Sequence, residues 1–215
     1  MSQSFLSRLP LSRFEVDRDY LARERADLFD ELWADPATRI LPVFDGRALV
    51  SDDDSLRLLT PQEAPDAAIR VYLGRTTTAA DTEPAGTAVV AIQLEDAGEL
   101  SAGRWANLRT IGSRLSNRDA GLVTEALGIL NWHATHAFSP RTGRPTIVEK
   151  GGWVRRDPTT GTELFPRTDA AIIVGITDAD DRMLLGSNAL WESNRFSLLA
   201  GFVERFPAKR MQVFG

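Results

Sequence analysis

Between Arg39 and Ile92 one pattern recurs: a short aliphatic or β-branched run, a turn former, then another run. Arg39-Ile40-Leu41-Pro42-Val43-Phe44 precedes the turn Asp45-Gly46 and then Ala48-Leu49-Val50. Leu56-Arg57-Leu58-Leu59, Ala68-Ile69-Arg70-Val71-Tyr72-Leu73 and Thr87-Ala88-Val89-Val90-Ala91-Ile92 follow, with the polar interval Thr76 to Gly86 as a loop between the last two. Runs of this kind, bounded by turn residues, read as strands. They limit the N-terminal half to a sheet-rich domain.

Helical segments are expected on either side of this sheet. Over Asp17 to Ala34, Leu21, Leu28 and Leu32 fall at i, i+7 and i+11, on one face, interrupted by Glu24 and Arg25. Trp105 to Leu115 and Asn117 to His136 form a pair of helices, with Ser116 or Asn117 as the second N-cap. On that second helix Leu122, Ala126, Leu127, Leu130 and Ala134 make an apolar face. The Gly/Pro/Thr-rich stretch from Phe138 to Pro166 reads as a small irregular module. After it, Ala170 to Ile176 is expected as a buried strand, Asp178 to Asp181 as a turn, Arg182 to Leu185 as the returning hairpin arm, and Phe196 to Val203 as a further strand.

Composition narrows the chemistry. With 43% hydrophobic and 26% charged residues the chain is of ordinary globular type. No stretch approaches the ~20 apolar residues of a membrane helix, and Met1 to Pro10 has no apolar signal core, so a cytoplasmic protein without a membrane partner is expected. A formal charge of −5 argues against a broad nucleic-acid-binding surface. The absence of Cys excludes disulfides and thiolate chemistry. His133 and His136, the only histidines, are spaced i, i+3 but have no recognised acidic ligand pattern beside them, and are expected to serve helix packing. A Ser-His-Asp triad, a Walker loop and a Gly-x-Gly-x-x-Gly turn find no support.

From Asn131 onward the chain resembles the NADH pyrophosphatase branch of the Nudix hydrolases, in particular its actinobacterial members. The resemblance rests on Asn131-Trp132-His133, Phe138, Gly143, Pro145-Thr146, Gly152-Trp153, Phe165-Pro166-Arg167-Thr168-Asp169, Ile172-Ile173, and Ser197-Leu198-Leu199-Ala200-Gly201-Phe202-Val203-Glu204. The N-terminal half is similar only in general layout and in Leu108-Arg109. The resemblance implies an α+β fold: a sheet-rich N-terminal domain with a helix pair over residues 1–136, a metal-free zinc-ribbon-like module over 137–166, and the first strands of a truncated Nudix α/β/α sandwich over 167–215.

It also implies a chemistry. Family members hydrolyse NAD(H) to nicotinamide mononucleotide and AMP, with removal of NAD caps from RNA as a related reaction, using Mg²⁺ or Mn²⁺ held by glutamates of the Nudix box. That box runs Gly, five residues, Glu, seven residues, Arg-Glu, an aliphatic residue, any residue, Glu-Glu. Counted from Gly201, its first glutamate falls on Pro207 and its Arg-Glu begins at Gly215, and Arg205 to Gly215 contains no acidic residue. The expectation is a polypeptide truncated within the box by a frameshift or gene-model error, and inactive. A native, divergent terminus is the alternative for these residues.

Further roles follow from the resemblance alone. Phe202 and Phe165 would sandwich a base of the substrate, the latter from a second subunit of a homodimer. Ile173 would line the same pocket, Arg109 would reach a phosphate, and the backbone carbonyl of Ala200 would be a metal ligand. Glu204 would be a structural partner of the box loop. The zinc-ligand positions of the ribbon are Ser139, Thr142, Asp157 and Thr160, flanked by Gly143 and Gly161. This donor set is too poor in thiolate and imidazole for zinc, so turn hydrogen bonds and packing of Trp153 and Phe138 are expected to hold the module instead. A competing reading is a non-catalytic dimerisation or nucleotide-binding remnant.

Overall fold

The aliphatic runs of the N-terminal half make the centre of a six-stranded mixed sheet. The computed structural model describes residues 14–80, 83–204 and 212–214. Its strands β1 (Val16–Asp17), β2 (Arg39–Phe44), β3 (Arg47–Val50), β4 (Ile69–Thr76), β5 (Ala88–Leu94) and β6 (Arg104–Ala106) lie in the order β1-β4-β5-β2-β3-β6. β2 and β5 run parallel, from Arg39↔Val89 to Phe44↔Leu94, and the other neighbours are antiparallel.

A parallel central pair needs cover on both faces, and both are covered. Helix α1 (Leu28–Ala34) packs on the side of Ile40, Tyr72, Val90 and Ile92. Helices α2 (Leu108–Ile111) and α3 (Asn117–Thr135) pack on the side of Leu41, Val43, Val71 and Ala91. Two-sided burial is why these strands read as unbroken apolar runs rather than as alternation. The Ser116 hydroxyl caps α3 by accepting from the Asp119 N–H at 3.0 Å, and α3 buries Leu122, Ala126 and Leu130.

Three expectations about this half are corrected. The segment Asp17 to Ala34 is not one helix: a 3₁₀ turn at Tyr20–Glu24 is cut off from α1 by extended backbone at Arg25. Leu28 and Leu32 are buried, but Leu21 is exposed. Nor does a helix start at Trp105, which pairs as a β-residue with Leu49. Asn107 then caps the short α2, its side-chain oxygen accepting from the Arg109 N–H at 2.9 Å. Leu56 to Leu59 contributes only isolated bridges, Val50↔Leu56 and Ile40↔Leu59, not a strand.

The Gly/Pro/Thr-rich stretch forms a small antiparallel sheet, β7 (Ile147–Glu149), β8 (Val154–Arg156) and β9 (Glu163–Leu164), in that order. It is tied to the main sheet. The Trp153 indole N–H donates to the Tyr72 carbonyl at 2.7 Å. Gly152, at φ 88°, lies so close to β4 that a Cβ would stand 2.4 Å from the Arg70 oxygen, so only glycine fits there. Trp153 thus packs as expected, whereas Phe138 is 61% exposed and adds no packing.

Contacts divide the chain into two units, Met1–Pro166 and Arg167–Gly215. The second holds an antiparallel sheet of β10 (Ala171–Val174), β11 (Leu199–Glu204) and β12 (Gln212–Phe214). Asp178 to Asp181 turns the chain so that the Leu184 N–H donates to the Ile176 carbonyl at 2.8 Å. Ala170 to Ile176 is not the buried strand expected. No residue of this unit whose exposure is described is buried, because no layer of described residues covers either face of the sheet.

Candidate functional site

Register places the proposed substrate residues of the second unit on one surface. β10 and β11 pair Ala171↔Phe202 and Ile173↔Ala200, and directly opposed residues share a face. Phe202 and Ile173 therefore lie diagonally adjacent on that face, 67% and 74% exposed. The opposite face, with Val174, Leu199 and Gly201, borders an open, largely apolar cavity of about 740 Å³ that Ile176 and Trp191 also line.

The same ladder fixes the direction of the Ala200 carbonyl. The Val203 N–H donates to the Ala170 oxygen at 2.8 Å, so Ala170/Val203 is a hydrogen-bonded pair. Alternation then makes Ile173/Ala200 a non-bonded pair, with its backbone groups turned outward. The Ala200 oxygen points away from β10 and lies before Phe202, where the pairing with β12 begins. Among the described residues no group of three or more His, Cys, Asp or Glu side chains is placed to hold a metal. A neutral carbonyl alone does not meet the needs of Mg²⁺ or Mn²⁺, which take several oxygen ligands. Pro207 lies outside the described residues, as does the Glu204 side chain.

Phe165 and Arg109 belong to the first unit. Phe165 follows β9 and is 56% exposed. Arg109 is exposed on α2 and has no ion-pair partner among the described residues. The residues expected to meet substrate or metal thus divide between the units, Phe165 and Arg109 in one, and Ile173, Ala200 and Phe202 in the other.

The four ribbon positions do come together. The Thr142 hydroxyl donates to the Asp157 carboxylate at 2.6 Å, the Thr160 N–H reaches it at 3.3 Å, and the Ser139 hydroxyl oxygen accepts from the Thr142 N–H at 3.4 Å. The Thr160 hydroxyl turns aside to Thr162. The bonds to the carboxylate, the Thr142 one foremost, hold the Asp157 carboxyl well below the usual carboxylate range.

Charged groups that the sequence did not single out are buried where α3 meets its neighbours. The Arg155 guanidinium, which can only donate, approaches His133 Nδ1 at 3.0 Å, so the proton sits on Nε2 and is donated to the Gly152 carbonyl at 2.8 Å. Burial above all, with the Arg155 charge adding to it, lowers the His133 pKa to about 4 against the pull of Gly152. His133 therefore serves packing rather than metal binding. Glu125, also buried on α3, is pushed up to about 7 by burial, against the pull of Arg18 and Arg23. Arg18 Nε stands 3.4 Å from its carboxylate. A signal was available: Glu125 is flanked on the helix by the apolar Leu122 and Ile129, at i−3 and i+4.

Comparison with known proteins supplies the remaining observation. Residues 37–132, from just before β2 to the last turns of α3, match the family described as "NADH pyrophosphatase-like rudimentary NUDIX domain". The NAD-capped RNA hydrolase NudC of Mycobacterium tuberculosis is 44% identical over 98 residues, 46% of this chain and 31% of that protein. The NAD-capped RNA hydrolase NUDT12 of Homo sapiens is 31% identical over 100 residues, 42% of this chain and 22% of that protein. The matches thus span less than a third of the length of these relatives.

Proposed function

We propose, from the match of residues 37–132 to the NADH pyrophosphatase-like rudimentary NUDIX domain, that this chain recognises nicotinamide adenine dinucleotides. The ligand is NAD(H), free or as the 5′ cap of an RNA. The observation that carries this reading is the exposed phenyl ring of Phe202 lying diagonally beside the exposed Ile173 on one sheet face. A flat apolar surface of this kind suits a nicotinamide or adenine ring, since stacking on an aromatic face is worth about 1–3 kcal/mol per base. Phe165 closes the sandwich from the second subunit of a homodimer, and Arg109 takes a phosphate. The protein works in the cytoplasm.

The intact family reaction, hydrolysis of NAD(H) to nicotinamide mononucleotide and AMP, needs Mg²⁺ or Mn²⁺ to neutralise the pyrophosphate and activate water. Residues 201–215 do not fit that ion. Carboxylates are required after Gly201, and 205–215 contains no Asp or Glu. We therefore assign to this chain binding without turnover. The 215-residue protein incubated with NADH and Mn²⁺ should release no AMP, and turnover well above a metal-free blank overturns that assignment. NADH titration followed by nicotinamide fluorescence should saturate and weaken roughly tenfold in Phe202→Ala. Absence of saturable binding overturns the recognition itself.

A second reading has its own support. The unburied apolar residues of the second unit, Ile173, Leu190, Phe196 and Phe202 among them, fit a dimerisation module that binds no nucleotide. Size-exclusion chromatography with and without NADH separates the two.

A further inference from the structure

The two turns that carry the ribbon's zinc-ligand positions are copies of one another. In the first, the Ser139 N–H donates to the Arg144 carbonyl and the Gly143 N–H returns to the Ser139 carbonyl, each at 2.8 Å. In the second, the Asp157 N–H donates to the Thr162 carbonyl at 2.9 Å and the Gly161 N–H returns to the Asp157 carbonyl at 2.8 Å. Gly143 and Gly161 close them at φ 69° and 71°, left-handed values that favour glycine. Both turns thus share one backbone pattern, and the Thr142 side chain of the first meets the Asp157 side chain of the second.

A single carboxylate occupies that meeting point. Asp157 is fully buried and Ser139 nearly so. One Asp157 oxygen takes the Thr142 hydroxyl at 2.6 Å, and the other takes the N–H groups of Thr159 at 2.8 Å and Thr160 at 3.3 Å. Donors from the first turn and from the second therefore converge on the same ion. Among the described residues no cation pairs with it: the neighbouring Arg155 is bonded to His133 and Thr146, and Arg156 pairs with Glu149. Neutral donors alone satisfy the charge, and a carboxylate held by several such bonds stays ionised.

Zinc does not fit this arrangement. Bonds of about 2.1 Å in tetrahedral geometry place ligand atoms about 3.4 Å apart, whereas the Thr142 and Asp157 oxygens sit at 2.6 Å and share a proton between them. Hydroxyls are also poor substitutes for thiolate or imidazole.

We propose that Asp157 takes the structural place of the metal in this ribbon, its buried carboxylate cross-linking the two knuckle turns by hydrogen bonds. The module is built around an anion instead of a cation. Because the second turn joins β8 to β9, the same node fixes the strand end that leads to Phe165. The Asp157 cross-link also makes the ribbon indifferent to chelators, where a zinc ribbon would open.

The test uses the full chain. As purified, it should contain no stoichiometric zinc by elemental analysis, and its melting temperature should not move with EDTA or with added Zn²⁺. One equivalent of zinc, or melting lowered by chelator, overturns the proposal. Asp157→Asn keeps the size but offers one acceptor oxygen and an amide donor where three donors converge. It should lower the melting temperature and speed amide exchange in both turns, 139–143 and 157–161. Unchanged exchange in the first turn overturns the cross-link. Should that variant fail to fold, the fourfold variant S139C/T142C/D157C/T160C decides. It should bind one zinc, regain stability with it and lose it to chelator, while failure to bind zinc shows that the two turns do not face one another and overturns the proposal.

Discussion

Val89-Val90-Ala91-Ile92 and Ala171-Ile172-Ile173-Val174 are nearly interchangeable as strings of residues, and both pair into sheets. In the first, every residue is fully buried. In the second none is, and Ile173 is 74% exposed. The difference lies in what stands above and below. β5 has α1 over one face and α3 over the other, whereas β10 has no described layer on either. An apolar run therefore states that a strand can accept two covering layers, and nothing about whether they are present. The contrast also bears on stability, since burial contributes roughly 25 cal/mol per Å² of apolar area, and among the described residues the buried apolar side chains lie in the first unit.

The contrast is tested most severely in the core of the first unit. Leu41 is fully buried in β2, between β5 and the helix layer. Leu41→Ala should cost about 2–5 kcal/mol, the transfer term plus the cavity left behind, read as a lower urea midpoint by circular dichroism. A loss below about 1 kcal/mol would mean that the sheet relaxes into the gap and that the two units are less different than their burial makes them.

Much of this division was legible in the residues. The strands from Arg39 to Ile92 and the helix from Asn117 follow local rules, an apolar run between turns and a capping Ser before a periodic face. The two turns of the small three-stranded sheet were legible for a different reason, because Gly143 and Gly161 mark backbone geometry that few other residues allow. What was not legible depended on distant partners. Trp105 became a strand residue because Leu49 was there to pair with it, and Leu21 lost its helix at the extended Arg25. In the candidate site, Ile173, Ala200 and Phe202 could be named one by one, but their common face is a matter of register, set by the pairing of β10 with β11. By residue type Asp157 is only a poor zinc ligand, and its part as an acceptor for both turns is visible only once they face each other.

Buried charge on α3 gives the next, smaller effect, and it belongs to the first unit alone. Glu125 keeps its proton up to about 7 in the folded protein against 4.5 as an isolated group. Between those values the unfolded chain has released the proton and the folded chain has not, so this group's stability contribution falls as pH rises. His133 runs the other way, at about 4 folded against 6.5 isolated, so its contribution is present above 6.5 and falls as pH drops. The two slopes oppose one another where they overlap. Glu125→Gln should remove one of them, raising stability near pH 8 relative to the wild type by on the order of 2 kcal/mol and leaving only the acid-side loss. Thermal melts of both proteins across this range check it, and parallel curves would show that Arg18 and Arg23 already hold Glu125 ionised.

The smallest effect is expected where the residues look most like a core. Ile173 has the side chain and β-register of a buried residue, yet it stands exposed beside Phe202. Ile173→Ala removes almost no enclosed area, so the urea midpoint should move by less than about 0.5 kcal/mol, the range of surface substitutions. The same change removes apolar surface from the face proposed for base stacking, and NADH affinity should fall a few-fold while stability stays put. Leu41→Ala should show the reverse order, a large loss of stability with the β10–β11 face untouched. If instead Ile173→Ala destabilises as a core substitution does, a layer covers β10 in solution, either a second copy or other chain, and the two units differ in their partners rather than in their burial.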